Sequence, residues 1–260
     1  MAGVKNLVSV VIPAFNAASF LRGAIASIER QNYHPLEIIV VDDGSSDGTA
    51  EIVRSLASVT RYLHQENAGP AAARNHGLKY AQGEFIAFLD ADDEWPAGKL
   101  DLQIGRLRAQ PELDVVLGRI KYISLPGAAV LDIAFETEDR TLTHVHLGSG
   151  VYRREVFDSI GLFDESFRYC EDVDWFMRAR EANISMVILG DVTLLYQLHS
   201  RNMTLHMPPS DVARVMKRSL ERRRRRGPGP PVNLKPWCDY DETGRRRARD
   251  ESSYSRRPVA

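Results

Sequence analysis

Cysteine is nearly absent: the 260 residues carry two, Cys170 and Cys238, far apart and without metal-ligand spacing. A disulfide framework is therefore not expected. No apolar run approaches the roughly 20 residues that a bilayer-spanning helix needs. Met1 to Asn6 lack the basic and apolar regions of a signal peptide. A cytoplasmic location is the expectation, with peripheral contact at a membrane left open. No internal repeat is present, and neither sign of charge is in excess, for 34 Lys and Arg face 35 Asp and Glu. That balance hides an asymmetry. From Glu221 onward basic residues outnumber acidic ones 12 to 6, which leaves the preceding chain acidic, with 22 against 29. The hydrophobic fraction of 43% and charged fraction of 27% are those of a soluble globular protein. The length suits one large α/β domain or two small ones.

What the sequence does contain is a strand-like run, Phe85 to Leu89, that ends in Asp90-Ala91-Asp92-Asp93. In an extended chain, side chains at i and i+2 point the same way, so Asp90 and Asp92 project together. Clustered carboxylates repel, and a hard divalent cation with oxygen ligands relieves them. Such an ion commonly completes its shell with substrate phosphates, so the stretch reads as a metal–diphosphate site. It reads equally as a polar turn, where Asp is common.

Leu7 to Ile12, Glu37 to Val41 and Arg61 to His64 have the apolar, β-branched character of strands. Helices are expected from Ser19, as N-cap, to about Gln31, from Thr49 to about Ala57, and from Pro70 over Ala71 to Ala81. This alternation, with short links, predicts right-handed crossovers and a mostly parallel sheet covered on both faces. Ligands gather beyond the carboxyl ends of such strands. Pro13-Ala14-Phe15, Asp42-Asp43 and Asp90-Asp92 all fall on that rim. The second half is less regular. It offers a helix over Lys99 to Gln110 and a strand over Val115 to Ser124, then a further strand over Val130 to Phe135 in a variable insert. Beyond those come a helix near Glu155 to Ile160, a turn over Gly161 to Glu165, a helix over Glu171 to Ala182, and strands over Met186 to Leu189 and Thr193 to Leu198. A basic helix is expected from about 210 to 226, and a disordered basic tail over 227–260.

Val8 to Asn16, Val41-Asp42-Asp43-Gly44-Ser45, Ala73-Arg74-Asn75, Asp90-Ala91-Asp92-Asp93 and Glu171-Asp172-Val173-Asp174 occur in that order. Each piece alone is common. The ordered set resembles glycosyltransferase family 2, the inverting nucleotide-sugar enzymes of the GT-A fold, across about residues 5 to 205. The resemblance implies one GT-A domain over 1–209, with nucleotide-sugar binding in about 1–110 and acceptor binding and the base in about 111–209.

It further implies a nucleotide-sugar site from Pro13, Ala14, Phe15, Asp43, Gly69, Arg74, Asp90 and Ala91. The Phe15 ring would pack on base or ribose, unless it is an ordinary core aromatic. Asp43, rather than its neighbour Asp42, would accept the N3–H of uracil, and simple capping of the turn through Gly44-Ser45 is the alternative for both. Arg74 would reach the nucleotide or diphosphate, and a solvated helix-face Arg is the alternative. Asp92 would be the direct ligand of Mn²⁺ or Mg²⁺, with Asp90 on the ribose or on metal-bound water, and Asp93 capping the next helix. His199 would reach the metal or diphosphate, although family members often carry Arg where Gln197 stands. Asp172 would be the general base, with Glu171 orienting it or touching the acceptor. Carboxylates there also favour the helix dipole. The Gly148-Ser149-Gly150 turn resembles the acceptor-side loop.

The implied partners are a UDP-sugar and a hydroxyl acceptor on a sugar, a glycolipid or a polyprenyl-linked glycan, in cell-envelope glycan biosynthesis. The Arg222 to Arg226 run is either a solvated face or a contact for an anionic membrane surface. Nucleic acid is not supported, because no recognition module accompanies the charge. Two rivals stand: a non-catalytic nucleotide- or sugar-binding module, and a nucleotidyltransferase. The latter needs a Gly-rich basic loop after the first strand, where Pro13 to Asn16 stand instead.

Overall fold

Alternation along the strands sorts the core into two layers. Val8, Val10 and Ile12 face one cluster with Phe85, Ala87 and Leu89, whereas Val11, Ile86 and Phe88 face the other. The computed structural model describes residues 3–128, 135, 137–225, 234 and 237–243. In it β1 (Val4–Ala14), β2 (Leu36–Asp42), β3 (Arg61–His64) and β4 (Gly83–Phe88) run parallel in the order β3-β2-β1-β4. Helices α1 (Leu21–Glu29), α2 (Thr49–Arg54) and α3 (Pro70–Tyr80) connect them. Next to β4 lies the antiparallel β7 (Val151–Arg153), followed by β5 (Val115–Ser124) with β6 (Thr141–Leu142) and β8 (Met186–Leu198) paired to it. Helices α4 (Lys99–Ala109), α5 (Glu155–Ile160), α6 (Glu171–Glu181) and α7 (Pro209–Arg225) complete the order. The mostly parallel α/β sheet agrees with the expectation.

Several local readings change. The first strand does not end at Ile12, because Pro13 sits in register with Val41 and β1 continues to Ala14. Ser19 does not cap α1: the amides of Phe20 and Leu21 both donate to Ala17 O at 3.0 Å, and the Ser19 hydroxyl accepts from Arg201 at 2.8 Å. The two expected strands around Gly190 are one strand, β8, whose pairing with β5 shifts register near Arg119. Gly118 makes this possible, since a Cβ there would collide with Thr193. The strand expected over Val130 to Phe135 lies, Phe135 apart, outside the described residues. So does most of the tail, yet within it Asp241 bridges to Ile188 on the edge of β8 away from β5 and is buried. Edge-strand backbone groups recruit such cover. Among the described residues no helix is long and apolar enough to cross a membrane.

Helix α3 sits unusually close to the sheet. A methyl group at Gly77 would collide with Val11 Cγ1 and lie 3.2 Å from Val41 Cγ2. Gly77→Ala should therefore lower stability by about 1–3 kcal/mol despite the better helix propensity of Ala. Chemical denaturation measures this, and an unchanged or raised midpoint would refute the close seat.

Candidate active site

The rim is built by strapping two loops together. After β1, the amides of Asn16 and Ala17 donate to Ser45 Oγ and Thr49 Oγ1, both at 2.9 Å, and Ser46 N donates back to Asn16 Oδ1 at 2.9 Å. Asn16 takes φ +49°, a left-handed conformation that Asn tolerates. Pro13 is half-buried and Ala14 buried, while the Phe15 ring stands 52% exposed at the rim. It is not a core aromatic.

The two carboxylates after β2 divide their work. Asp42 is buried and accepts from Ser45 N at 2.9 Å and Tyr62 OH at 2.7 Å, which builds the turn. Burial and the Asp42 carboxylate push the Tyr62 phenol up to about 12. Asp43 accepts from Gln65 Nε2 at 2.8 Å, Ala68 N at 2.9 Å and Gly69 N at 2.8 Å. It thereby holds the turn that enters α3. Gly69 has φ +91° with open space where a Cβ would stand, so conformation and not crowding calls for glycine.

Arg74 is the centre of the site and is not a solvated helix-face residue. Ala71, Ala72 and Ala73 let α3 approach so closely that Arg74 is only 5% exposed. Its Nη2 donates to Asp90 Oδ1 at 2.6 Å and its Nη1 to Glu171 Oε1, while Nε has no partner among the described residues. Burial opposes the guanidinium charge, but Asp90, Glu171 and Asp172 outweigh it and raise the pKa. Burial likewise works against the Asp90 carboxylate, yet Arg74 and His146 hold it below its ordinary value. For Glu171, burial and Asp172 together outweigh Arg74 and push the carboxyl up to about 7. Glu171 and Asp172 open α6 after Cys170, which takes φ +64°. Asp172 is half-buried and accepts from Val173 N at 2.7 Å. Next to Arg74, Asn75 clamps the 161–165 turn through Phe163 N and O, at 3.0 and 2.9 Å.

The Asp90–Asp93 turn carries two donor groups. Asp92 Oδ2 meets His199 Nε2 at 2.9 Å, and the His199 ring stacks on Phe20 with centroids 4.5 Å apart. Since His199 Nδ1 accepts from Arg201 N at 3.1 Å, the neutral ring carries its proton on Nε2 toward Asp92. Separately, Asp90, Asp93 and His146 offer ligand atoms within 4.8 Å of one another. Ala91 is buried between the carboxylates. Asp93 does not cap the next helix: α4 begins only at Lys99, after Gly98. Glu94 instead pairs with Leu195 of β8, and this draws Asp93 inward to accept from Gln197 N at 2.9 Å. Its Oδ2 is buried without a partner among the described residues, and burial, Asp92 and Asp90 raise its pKa well above the usual range. Carboxylate and imidazole donors with one unpaired buried oxygen fit a hard or borderline divalent ion.

His146, Asp93 and Gln197 in this role were not found from sequence. The Gly148-Ser149-Gly150 turn lies just beyond His146. That turn is itself packed. A Cβ at Gly150 would lie 2.6 Å from the Tyr152 hydroxyl, and Ser149 is fully buried. The Trp95 indole N–H and Lys99 Nζ donate to the carbonyls of Gly148 and Gly150 at 3.0 and 3.2 Å. Its small residues answer to packing.

A family model described as glycosyl transferase family 2 matches residues 9–161. The chain belongs to glycosyl transferase family 2. Among relatives of this family 2 chain, an uncharacterized glycosyltransferase of Rickettsia typhi is 33% identical over 191 residues, covering 68% of the chain. The chain spans 60% of the length of that relative. The putative teichuronic acid biosynthesis glycosyltransferase TuaG of Bacillus subtilis is 40% identical over 108 residues, 40% of this chain and 43% of its own. Among solved structures, S. aureus TarS 1–349 in complex with UDP-GlcNAc aligns with TM-score 0.64 at 25% identity, covering 82% of this chain and 65% of that one. The mannosyltransferase PcManGT of Pyrobaculum calidifontis, in complex with GDP-Man and Mn²⁺, aligns with TM-score 0.62 over 87% and 66% of the two chains. At 22% identity this last likeness is one of fold.

Replacing Arg74 by Met leaves two carboxylates without their shared partner, and Glu171 is buried. Stability should fall by about 3 kcal/mol or more, as for other broken buried pairs. Urea denaturation reads the loss, and a change under about 1 kcal/mol would show that the pairs contribute little.

Proposed function

We propose that this chain is an inverting, divalent-metal-dependent glycosyltransferase that moves a sugar from a UDP-sugar to a hydroxyl acceptor. The observation that carries the reading is the Arg74 bridge, which ties Asp90 on the donor rim to Glu171, the neighbour of Asp172. Residues distant in sequence thus meet where a donor and a base must meet.

In this reading Pro13, Ala14 and the exposed Phe15 ring receive the nucleotide. Asp43 keeps one lone pair for the uracil N3–H beyond its three donors. Gly69 lets the diphosphate approach the start of α3. Arg74 is a positioning residue that holds Asp90 toward the ribose. Asp92, with His199 and the neighbouring Asp90, Asp93 and His146, supplies the donors for Mn²⁺ or Mg²⁺. For His199 to bind through Nε2, its Nδ1 must carry the proton, so the Arg201 amide has to turn away. Bound there, the ion offsets charge on the departing diphosphate. Asp172 takes the acceptor proton as the hydroxyl oxygen bonds to the anomeric carbon and the bond from that carbon to the phosphate oxygen breaks on the opposite face. Glu171, held by Arg74, orients Asp172.

TarS in complex with UDP-GlcNAc supports the donor class, and TuaG supports a cell-envelope glycan product. An acceptor on a glycolipid or polyprenyl carrier, met at the inner face of an anionic membrane, completes the proposal.

Asp172→Asn should leave UDP affinity unchanged and lower sugar transfer by about 10²–10⁴-fold. Parallel calorimetry and transfer assays separate the two effects. Wild-type transfer by this variant would remove Asp172 as the base.

A further inference from the structure

Helix α7 is docked on one side and bare on the other. Val215 and Ser219 are buried, and Val215 packs with Phe167, Cys170 and Met177. Arg222 is not part of a solvated run: its Nε donates to Glu181 Oε2 at 2.9 Å and its Nη1 to Asp174 Oδ1 at 2.8 Å. The other side presents Val212, Met216 and Leu220, which are 37, 45 and 48% exposed. Met203 and Met207, just before the helix, are exposed as well. Five of the ten exposed large apolar side chains of the described residues therefore fall within residues 203–220.

The charges on this stripe are of one sign, and the nearest carboxylate, Glu221, lies about 40° beyond Lys217. At about 100° per residue, Val212, Met216 and Leu220 align, Arg223 falls among them, and Ala213, Arg224 and Lys217 lie alongside. This arc of about 140° contains no carboxylate. Lys217 and Arg224 are exposed and have no ion-pair partner among the described residues. A second copy meeting this face with the same face would set cation against cation. An anionic bilayer complements both features, since it takes apolar side chains at the acyl boundary and long basic ones at the phosphates.

We propose that the Val212–Met216–Leu220 face of α7 docks the chain on an anionic lipid bilayer, with Lys217, Arg223 and Arg224 at the headgroups. This deepens the membrane attachment proposed above and rests on that reading only for why an acceptor would be there. Since α7 packs on Phe167 and Cys170, docking holds the segment that leads into Glu171 and Asp172 close to the membrane-facing element.

The test is co-sedimentation of the full chain with vesicles of phosphatidylcholine alone or mixed with phosphatidylglycerol. Partition into mixed vesicles should exceed that into neutral ones by about tenfold or more and fall with added salt. Met216→Asp with Leu220→Asp should abolish most of it, and Lys217→Gln with Arg224→Gln should lower it by roughly fivefold per charge. Both variants change exposed positions, and unaltered calorimetric UDP binding by them separates this result from the fate of the donor reading. The proposal is overturned by equal partition into both vesicle types, or by no partition. It is equally overturned if the Met216/Leu220 variant binds like wild type, which would assign attachment to residues beyond 225. Dimerisation lost in that variant would assign the face to a second copy.

Discussion

A single buried guanidinium joins the two halves of this chain. Arg74 is held where water cannot screen it, and it is stable there only because two carboxylates from distant segments meet it. The dependence runs both ways, since Arg74 opposes the burial and the Asp172 charge that push the Glu171 carboxyl up. Everything that seats α3 serves this contact. Gly77 brings the helix onto β1 and β2, the alanines before Arg74 remove bulk, and Asn75 fastens the turn that precedes α6. Asp43 fixes the helix entry through the amides of Ala68 and Gly69. The segments around α3 and β4 and the segment that opens α6 are thus registered to each other by polar contacts at the rim as well as by the core beneath it.

The same chemistry recurs at the far end of α6. Asp174 and Glu181 are buried, and Arg178 and Arg222 neutralise them. One end of this short helix is tied to the donor rim and its flank to α7. A helix fixed in this way presents Asp172 from a rigid element, which suits the role of proton acceptor proposed for it.

Much of the first half was legible because its signals are local. Two-residue alternation marks β1, β2 and β4, Pro70 marks the start of α3, and the rim follows once the sheet is parallel. The carboxylates at 42–43 and 90–92 fall on that rim for the same reason. What was not legible depends on partners remote in sequence. Asp93 looks like a cap until Glu94 is seen to pair with Leu195, and Gly190 looks like a break until Gly118 opposite it admits a bulge. His146 carries no local signature at all. Arg222 belongs to a run of like charges, and only the buried Asp174 and Glu181 distinguish it from Arg224. The Gly148-Ser149-Gly150 turn resembles an acceptor-side loop in sequence, whereas Leu194 and Tyr152 already crowd the space beside its glycines. Local pattern reports which way a side chain points, but not which segment it will meet.

The carboxylates gathered around Arg74 and the Asp90–Asp93 turn are proposed to receive a nucleoside diphosphate together with a divalent ion. Calorimetric titration of the chain with UDP, in the presence and absence of Mn²⁺, tests this most directly. Binding is expected to be at least tenfold tighter with the ion, a difference that Asp92→Ala removes. Equal affinities with and without Mn²⁺ would contradict the proposal.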